Sequence, residues 1–170
     1  MSDDSSATGK TSSYPRRPQL FVRRGAEIVE APREDVQVAE GYLAWPRKGA
    51  LVDAKRLTLL TKQTAYRPGE EIRVVHVVET TSPGYALYVA GPKAVYGEYL
   101  DGELATTLPV NPDDPLVPLD YDGITLPGPG VDYNYDVTTY TLAKPGTHTI
   151  CWRLGALESN TLEISVAGAG

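Results

Sequence analysis

The chain has 170 residues and a formal net charge of −6 at pH 7, with 41% hydrophobic and 22% charged residues. This length suits one domain with extensions, and the composition is that of a soluble globular protein. The sequence contains no apolar run of about 18 residues and no secretory-type N-terminus, which predicts a cytoplasmic protein without a membrane span. Its single cysteine, Cys151, cannot form an internal disulfide.

The first fifty residues predict a tail and an arm. Residues 1–18 are rich in Ser, Thr, Asp and Gly and predict a disordered tail. Residues 19–50 predict a basic arm and an extended segment packed on the domain, although residues 34–44 also allow one or two helical turns. Four arginines mark the arm: Arg16, Arg17, Arg23 and Arg24.

The arginines of this arm suggest two uses besides that of a solubilising tail. Arginines can contact nucleic acid through its phosphates, but the rest of the chain is acidic, which makes nucleic acid an unlikely partner. The arm of one copy could instead lie on an acidic region of a neighbouring copy, giving a head-to-tail contact.

Residues 51–167 predict the main domain, which we interpret as an antiparallel β-sandwich of seven to nine strands. The final strand pair, 147–166, alternates between apolar and polar residues, as half-buried strands do. Ile72–Glu79 is apolar on both faces and therefore predicts a central strand covered on both sides. Asp101-Gly102 lies between two strand-like runs and predicts a hairpin. The proline-rich interval 108–131 predicts a long ordered loop.

Three short segments resemble bacterial immunoglobulin-like domains. Residues 66–72 (YRPGEEI) are similar to their turn-into-strand pattern, residues 144–150 (KPGTHTI) to the turn before their penultimate strand, and residues 159–164 (SNTLEI) to their last strand. His148 stands where the pattern usually has Tyr. The resemblance implies an immunoglobulin-like fold and a binding or spacing role.

Two loops show a fainter resemblance to immunoglobulin-like proteinase inhibitors related to chagasin. Residues 80–85 (TTSPGY) and 128–130 (GPG) are similar to two of their loops, whereas their Arg-Pro-Trp loop has no counterpart. The resemblance implies a proteinase inhibitor that presents loops 82–85 and 127–130 side by side. No inhibitory residue can be carried over.

The interval between Lys93 and Lys144 contains no Lys or Arg and nine carboxylates, which predicts a negative surface. Asp120-Tyr-Asp122-Gly123 resembles half of a calcium loop, and two further carboxylates could complete six to eight oxygen ligands. The candidate Ca²⁺ ligands are therefore Asp120, Asp122, Asp132 and Asp136. A solvated acidic face is the alternative, and no other cofactor is predicted.

Tyrosines in and near this acidic interval suggest a surface that grips a protein or stacks sugars, because Tyr is favoured at interfaces; cross-strand Tyr pairs on a half-exposed sheet are the alternative. The candidates are Tyr96, Tyr99, Tyr121, Tyr133 and Tyr135. We therefore expect a non-enzymatic binding, assembly or structural module whose partner is a protein or a second copy of the chain. The alternatives are the proteinase inhibitor described above and an enzyme or small-ligand binder with a pocket near His76 and His148. No catalytic residue is predicted.

Overall fold

The computed structural model describes residues 18, 20–89, 91–109, 116, 123 and 125–168, which form a mainly β protein. The strands are β1 (Phe21–Arg24), β2 (Glu27–Glu30), β3 (Lys55–Leu60), β4 (Ala65–Tyr66), β5 (Glu71–Thr80), β6 (Ala86–Tyr88), β7 (Glu98–Leu100), β8 (Glu103–Leu104), β9 (Thr125–Pro127), β10 (Gly130–Asp132), β11 (Thr138–Thr141), β12 (Gly146–Leu154), β13 (Leu157–Glu158) and β14 (Leu162–Val166). Within the described residues the helix α1 (Arg33–Glu40) is followed by a 3-10 turn, Tyr42–Ala44.

The strands form several sheets, and within the described ranges none of these closes into a barrel. In the first large sheet β5 pairs antiparallel with β3, β10 and β11. The second has the order β4-β14-β12-β7-β8, with β13 on β12; its pairs are antiparallel except β4 with β14. Strands β1 and β2 form a hairpin, and β6 pairs with β9.

The two large sheets share one apolar core. Alternate side chains of β3 and β5 meet alternate side chains of β12 and β14, and Trp152 at the centre is fully buried. We call this group the inter-sheet core; its strand members include Leu57, Leu59, Ile72, Val74, Val78, Ile150, Trp152, Leu154, Leu162, Ile164 and Val166. Ile150 and Trp152, two apolar members of the alternating segment 147–166, are both fully buried.

The opposite face of β5 is also covered. Val75 and Val77 belong to a second cluster, which we call the N-terminal core, together with Leu20, Ala31, Ala39, Tyr42, Leu60, Val131 and Tyr133. Strand β5 therefore separates two apolar layers, as its continuous apolar sequence predicted. The N-terminal residues of this cluster, Leu20, Ala31, Ala39 and Tyr42, form the layer that covers this face of β5.

The preference for extended structure over residues 34–44 was wrong, because α1 and the 3-10 turn occupy this segment. Pro32, with a ψ angle of 150°, precedes the helix, and Glu34 and Asp35 in the first turn complement the helix dipole. Ala39 is buried on the face toward β5. Eight residues are too few for a clear helical period in the sequence.

Local turn chemistry explains the predicted hairpin. Asp101 and Gly102 have φ angles of 53° and 83°, and Leu100 pairs with Glu103 across them. Positive φ at both central residues is the requirement of the tight turn that Asp-Gly favours.

The interval 108–131 is not a loop throughout, because it contains β9 and the start of β10. The registers of β10 and β11 against β5 show a large bulge. Asp132 pairs with Val78 and Thr138 with Val74, so residues 133–137 face only the three residues 75–77. Strands of two or three residues, such as β4 and β13, bring the described strands of residues 51–167 to twelve (β3–β14), more than the seven to nine predicted for this domain.

The outer edge of β3 is closed by a side chain. The Leu59 amide donates to Asn160 Oδ1 at 2.7 Å, and Asn160 Nδ2 donates to the Leu59 carbonyl at 3.1 Å. The side-chain amide of Asn160 therefore satisfies both backbone groups of Leu59, as the backbone of a neighbouring strand would. The described part of the chain includes no helix long and apolar enough to cross a bilayer.

Candidate functional site

Three chain segments meet at the end of the first sheet where β5 finishes. They are the turn Val52–Lys55 before β3, the loop Thr81–Tyr85 after β5, and the loop Pro127–Gly130 between β9 and β10. We call them together the three-loop end. Because β3 and β10 flank β5 at this point, the sheet holds the bases of all three segments in place.

The first segment is a tight turn closed by two backbone hydrogen bonds between Val52 and Lys55, of 2.8 and 3.1 Å. Its central residues, Asp53 and Ala54, have φ angles of 54° and 63°. The left-handed region is unfavourable for a residue with a Cβ, least so for Asp. The turn is held by tertiary contacts, one of which is the 2.8 Å bond from the Thr81 amide to the Ala54 carbonyl.

The second segment is tied to the first through Tyr85. Its hydroxyl donates to Asp53 Oδ2 at 2.7 Å, and Lys55 Nζ lies 4.2 Å from the centre of its ring. The bond to the Asp53 carboxylate raises the pKa of the Tyr85 hydroxyl. Within the loop, Ser82 Oγ accepts the Gly84 amide at 3.0 Å. Side chains as well as backbone therefore fix the shape of this loop.

The third segment approaches the second so closely that only glycine fits. The Gly128 amide donates to the Tyr85 carbonyl at 2.8 Å. A Cβ at Gly128 would lie 2.2 Å from the Ser82 carbonyl oxygen and 2.7 Å from Thr80 Cγ2. The two loops that resemble those of the inhibitor family, 82–85 and 127–130, thus lie side by side.

Several apolar side chains in or next to the three-loop end are exposed. Leu51 and Val52 are 50% and 38% exposed. Pro83, Pro127 and Pro129 are exposed as well. Exposed apolar side chains together with Asp53 and Lys55 give these segments a composition suited to contact with another protein.

The predicted tyrosine surface is only partly a surface. Tyr133 and Tyr135 are each 6% exposed, so their assignment to it was wrong. Tyr133 lies in the N-terminal core and Tyr135 in the inter-sheet core. Tyr96 and Tyr99 are half-buried. The Tyr96 carbonyl accepts a hydrogen bond of 2.8 Å from the Trp152 indole N–H, and the Arg153 guanidinium stacks on the Tyr99 ring. Tyr121 lies outside the described residues.

Two of the predicted calcium ligands face cationic side chains. Asp132 is buried and binds Lys93 Nζ at 2.9 Å, and Asp136 binds Arg23 at 3.3 Å. Asp120 and Asp122 lie outside the described residues. Among the residues that are described, no three His, Cys, Asp or Glu side chains are grouped as a metal site requires.

The basic arm contacts the acidic interval of its own chain. Arg23, in β1, bonds Asp136 and donates to the Pro92 carbonyl at 2.6 Å. Arg24 is exposed near the tip of the hairpin. Arg16 and Arg17 lie outside the described ranges.

The two histidines have separate partners. His76 Nε2 bonds the fully buried Glu98, and its Nδ1 has no partner among the residues that the structure describes. His148 Nδ1 bonds Asp101 Oδ2 and its Nε2 bonds the Lys144 carbonyl, both at 2.7 Å. Because both ring nitrogens of His148 face acceptors, it is placed as an imidazolium, and these contacts raise its pKa.

A cleft of about 260 Å³ lies between α1 and the start of β5. Neither histidine lines it, and its central pair is Arg73 with the buried Asp35, 2.7 Å apart. Its lining consists of Glu34, Asp35, Val38, Lys62, Gln63, Tyr66, Glu70, Glu71 and Arg73.

The sequence indicated two of the three site segments through the inhibitor resemblance and missed the third. Asp53 and Ala54 carry no glycine or Asn-Gly signal, and their left-handed turn depends on contacts with residues about thirty positions later. Comparison of the chain with protein-family models, with curated proteins and with solved structures finds no match.

Proposed function

We propose that this protein is a non-enzymatic binding module with an immunoglobulin-like β-sandwich fold, and that its partner is a protein bound at the three-loop end. The observation that carries the proposal is the contact of Gly128 with Ser82 and Tyr85, which joins two exposed loops into one rigid surface. Pre-organised loops bind with a smaller loss of conformational entropy than mobile ones. The free, unpaired Cys151 is compatible with a cytoplasmic location, which we include in the proposal.

This proposal moves the contact surface away from the acidic, Tyr-rich region expected from the sequence. Two of those tyrosines are core residues, whereas Leu51, Val52 and the loop prolines are exposed. A binding surface requires accessible apolar groups with a polar rim, and Asp53 and Lys55 supply polar groups beside these side chains.

Peptide selection on the immobilised protein tests the surface. Selected peptides, labelled and titrated into ¹⁵N-labelled protein, should shift amide signals of the three-loop end. Gly128→Ala should weaken binding at least tenfold, because its Cβ must displace the Ser82 carbonyl. Gly41→Ala is the matched control, since its Cβ would meet one atom, at 3.4 Å. Peptides that shift only other regions, with equal affinity for both variants, would contradict the proposal.

Proteinase inhibition is a second candidate, favoured by one specific observation. The loops 82–85 and 127–130 lie next to each other, as an inhibitor that inserts both into one cleft requires. Residual activity of papain-type cysteine proteinases at increasing concentrations of the protein tests it. Inhibition by the wild type and by Gly41→Ala, but not by Gly128→Ala, would support it; full activity with micromolar wild type would remove this candidate.

A further inference from the structure

Among the strands that the structure describes, β11 forms an edge of the first sheet. It pairs with β5 through Thr138 to Thr141, and no other described strand pairs with it. The side chains of Thr138 and Tyr140 bond Glu98 on the core side, whereas Thr139 and Thr141 are exposed on the other face. The free edge therefore offers backbone donors and acceptors to an incoming strand.

The sequence of this edge suits pairing. Residues 137–143 (VTTYTLA) contain no charge, proline or glycine and are rich in residues that favour strands. Natural edge strands are commonly protected by Lys, Pro or a bulge. Here the bulge ends before β11 begins, at Thr138, and the strand that follows is regular.

The charges that flank the strand identify the partner. Asp136 precedes it, within the bulge, where it also bonds Arg23, and Lys144 follows it; each lies four residues from Tyr140 and outside the paired residues 138–141. If two copies pair antiparallel about a two-fold axis at Tyr140, Thr139 lies opposite Thr141, and an extension of that register beyond the strand would bring Asp136 of each copy toward Lys144 of the other. A parallel arrangement would place like charges together. The edge is thus complementary to itself in one orientation and one register.

We propose that β11 pairs with β11 of a second copy across a two-fold axis at Tyr140, which joins the first sheets of two chains into one continuous sheet. This self-association uses a surface other than the three-loop end and does not depend on the proposed function. The contact area of one short strand is small, so the dimer should be weak and its population should depend on concentration.

Cysteine cross-linking tests the register. Residues directly opposite in an antiparallel pair are close enough for a disulfide. When Thr139→Cys and Thr141→Cys are mixed under mild oxidation, the mixed disulfide should form at least tenfold faster than either symmetric disulfide. Thr64→Cys, at an exposed threonine away from β11, is the control for random collision. A mixed rate equal to that of the control, or faster symmetric 139–139 linkage, would overturn the proposal.

Sedimentation equilibrium gives an independent measurement without cysteines. The apparent mass of the wild type should rise from 18.4 kDa toward twice that value as concentration approaches about 1 mM. The double variant Thr139→Lys/Thr141→Lys should stay at the monomer mass, because four lysines then surround the axis. Thr64→Lys/Thr147→Lys, with the same net charge, should associate as the wild type does. A wild type that remains monomeric throughout would overturn the proposal.

Discussion

The imidazole of His76 bonds the carboxylate of Glu98 inside the inter-sheet core, where both side chains are completely buried. His76 belongs to the first sheet and Glu98 to the second, and the ring of Trp152 meets the His76 ring edge-on at 4.9 Å. Burial alone would raise the pKa of Glu98, but the charge of His76 and three side-chain hydrogen bonds outweigh it and lower that pKa.

Glu98→Gln should destabilise the protein by about 3 kcal/mol or more, because it removes one member of a buried charged group. Since the pKa of Glu98 is lowered in the folded state, its contribution is present above the unfolded pKa and lost as pH falls through the folded value. Urea unfolding at pH 7 and pH 4 measures both effects. The exposed Glu103→Gln should change stability by less than about 0.5 kcal/mol, and an equal effect of the two would refute this assignment.

The pair of His148 and Asp101 should stabilise the fold only within a pH window. The bond to Asp101, followed by that to the Lys144 carbonyl, raises the pKa of His148, so its contribution is complete below about pH 6.5 and lost as pH rises through the folded value. Burial alone would raise the pKa of Asp101, but the hydrogen bonds to His148 and to the Thr149 amide outweigh it and lower this pKa. The contribution of Asp101 to stability is therefore lost as pH falls through its folded value.

Asp101→Asn tests this window, since Asn also tolerates the positive φ of position 101. The difference in unfolding free energy from wild type should be largest between about pH 4 and 6.5 and below about 1 kcal/mol, because Asp101 is exposed. Proton NMR should show a lower pKa for His148 in the variant. An unchanged His148 titration would disprove the coupling.

Lys93→Met should destabilise by about 3 kcal/mol at pH 7, because it leaves the buried Asp132 carboxylate without its cation. Burial already raises the pKa of Asp132, so the folded state holds its proton more tightly and the loss should grow as pH rises above about 4. The double variant Lys93→Met/Asp132→Asn should recover part of the loss. Additive effects in this cycle, measured by chemical unfolding, would show that the two charges do not interact.

Asn160→Ala should cost about 1–3 kcal/mol, because it leaves both backbone groups of Leu59 without their side-chain partner. Hydrogen exchange of the Leu59 amide should accelerate more than that of amides in β12. Gln63→Ala is the control, since its side chain bonds a backbone carbonyl at an exposed site. Unchanged exchange at Leu59 would argue against this closure of the edge.

Sequence reasoning succeeded where short-range chemistry decides the structure. Asp101-Gly102 forms its turn because both residues tolerate positive φ, and the doubly apolar sequence of β5 requires cover on two sides. It failed at α1, where eight residues give too little periodicity and tertiary packing of Ala39 decides the conformation.

The candidate site was less accessible to sequence reasoning than the fold. The approach of Gly128 to Ser82 depends on the β5–β10 register, which connects residues about fifty positions apart. The burial of Tyr133 and Tyr135 was missed because a simple alternating strand would place both on one face, and the bulge separates them.

The bulge also couples the two apolar layers in unfolding. Tyr133 anchors one apolar layer and Tyr135 the other, only two residues along the same chain. Detachment of the N-terminal layer would expose Val75, Val77 and Tyr133 on a sheet whose other face forms the inter-sheet core. We therefore expect residues 51–167 to need the N-terminal layer in order to fold, and calorimetry of the intact chain should record one melting transition in place of two.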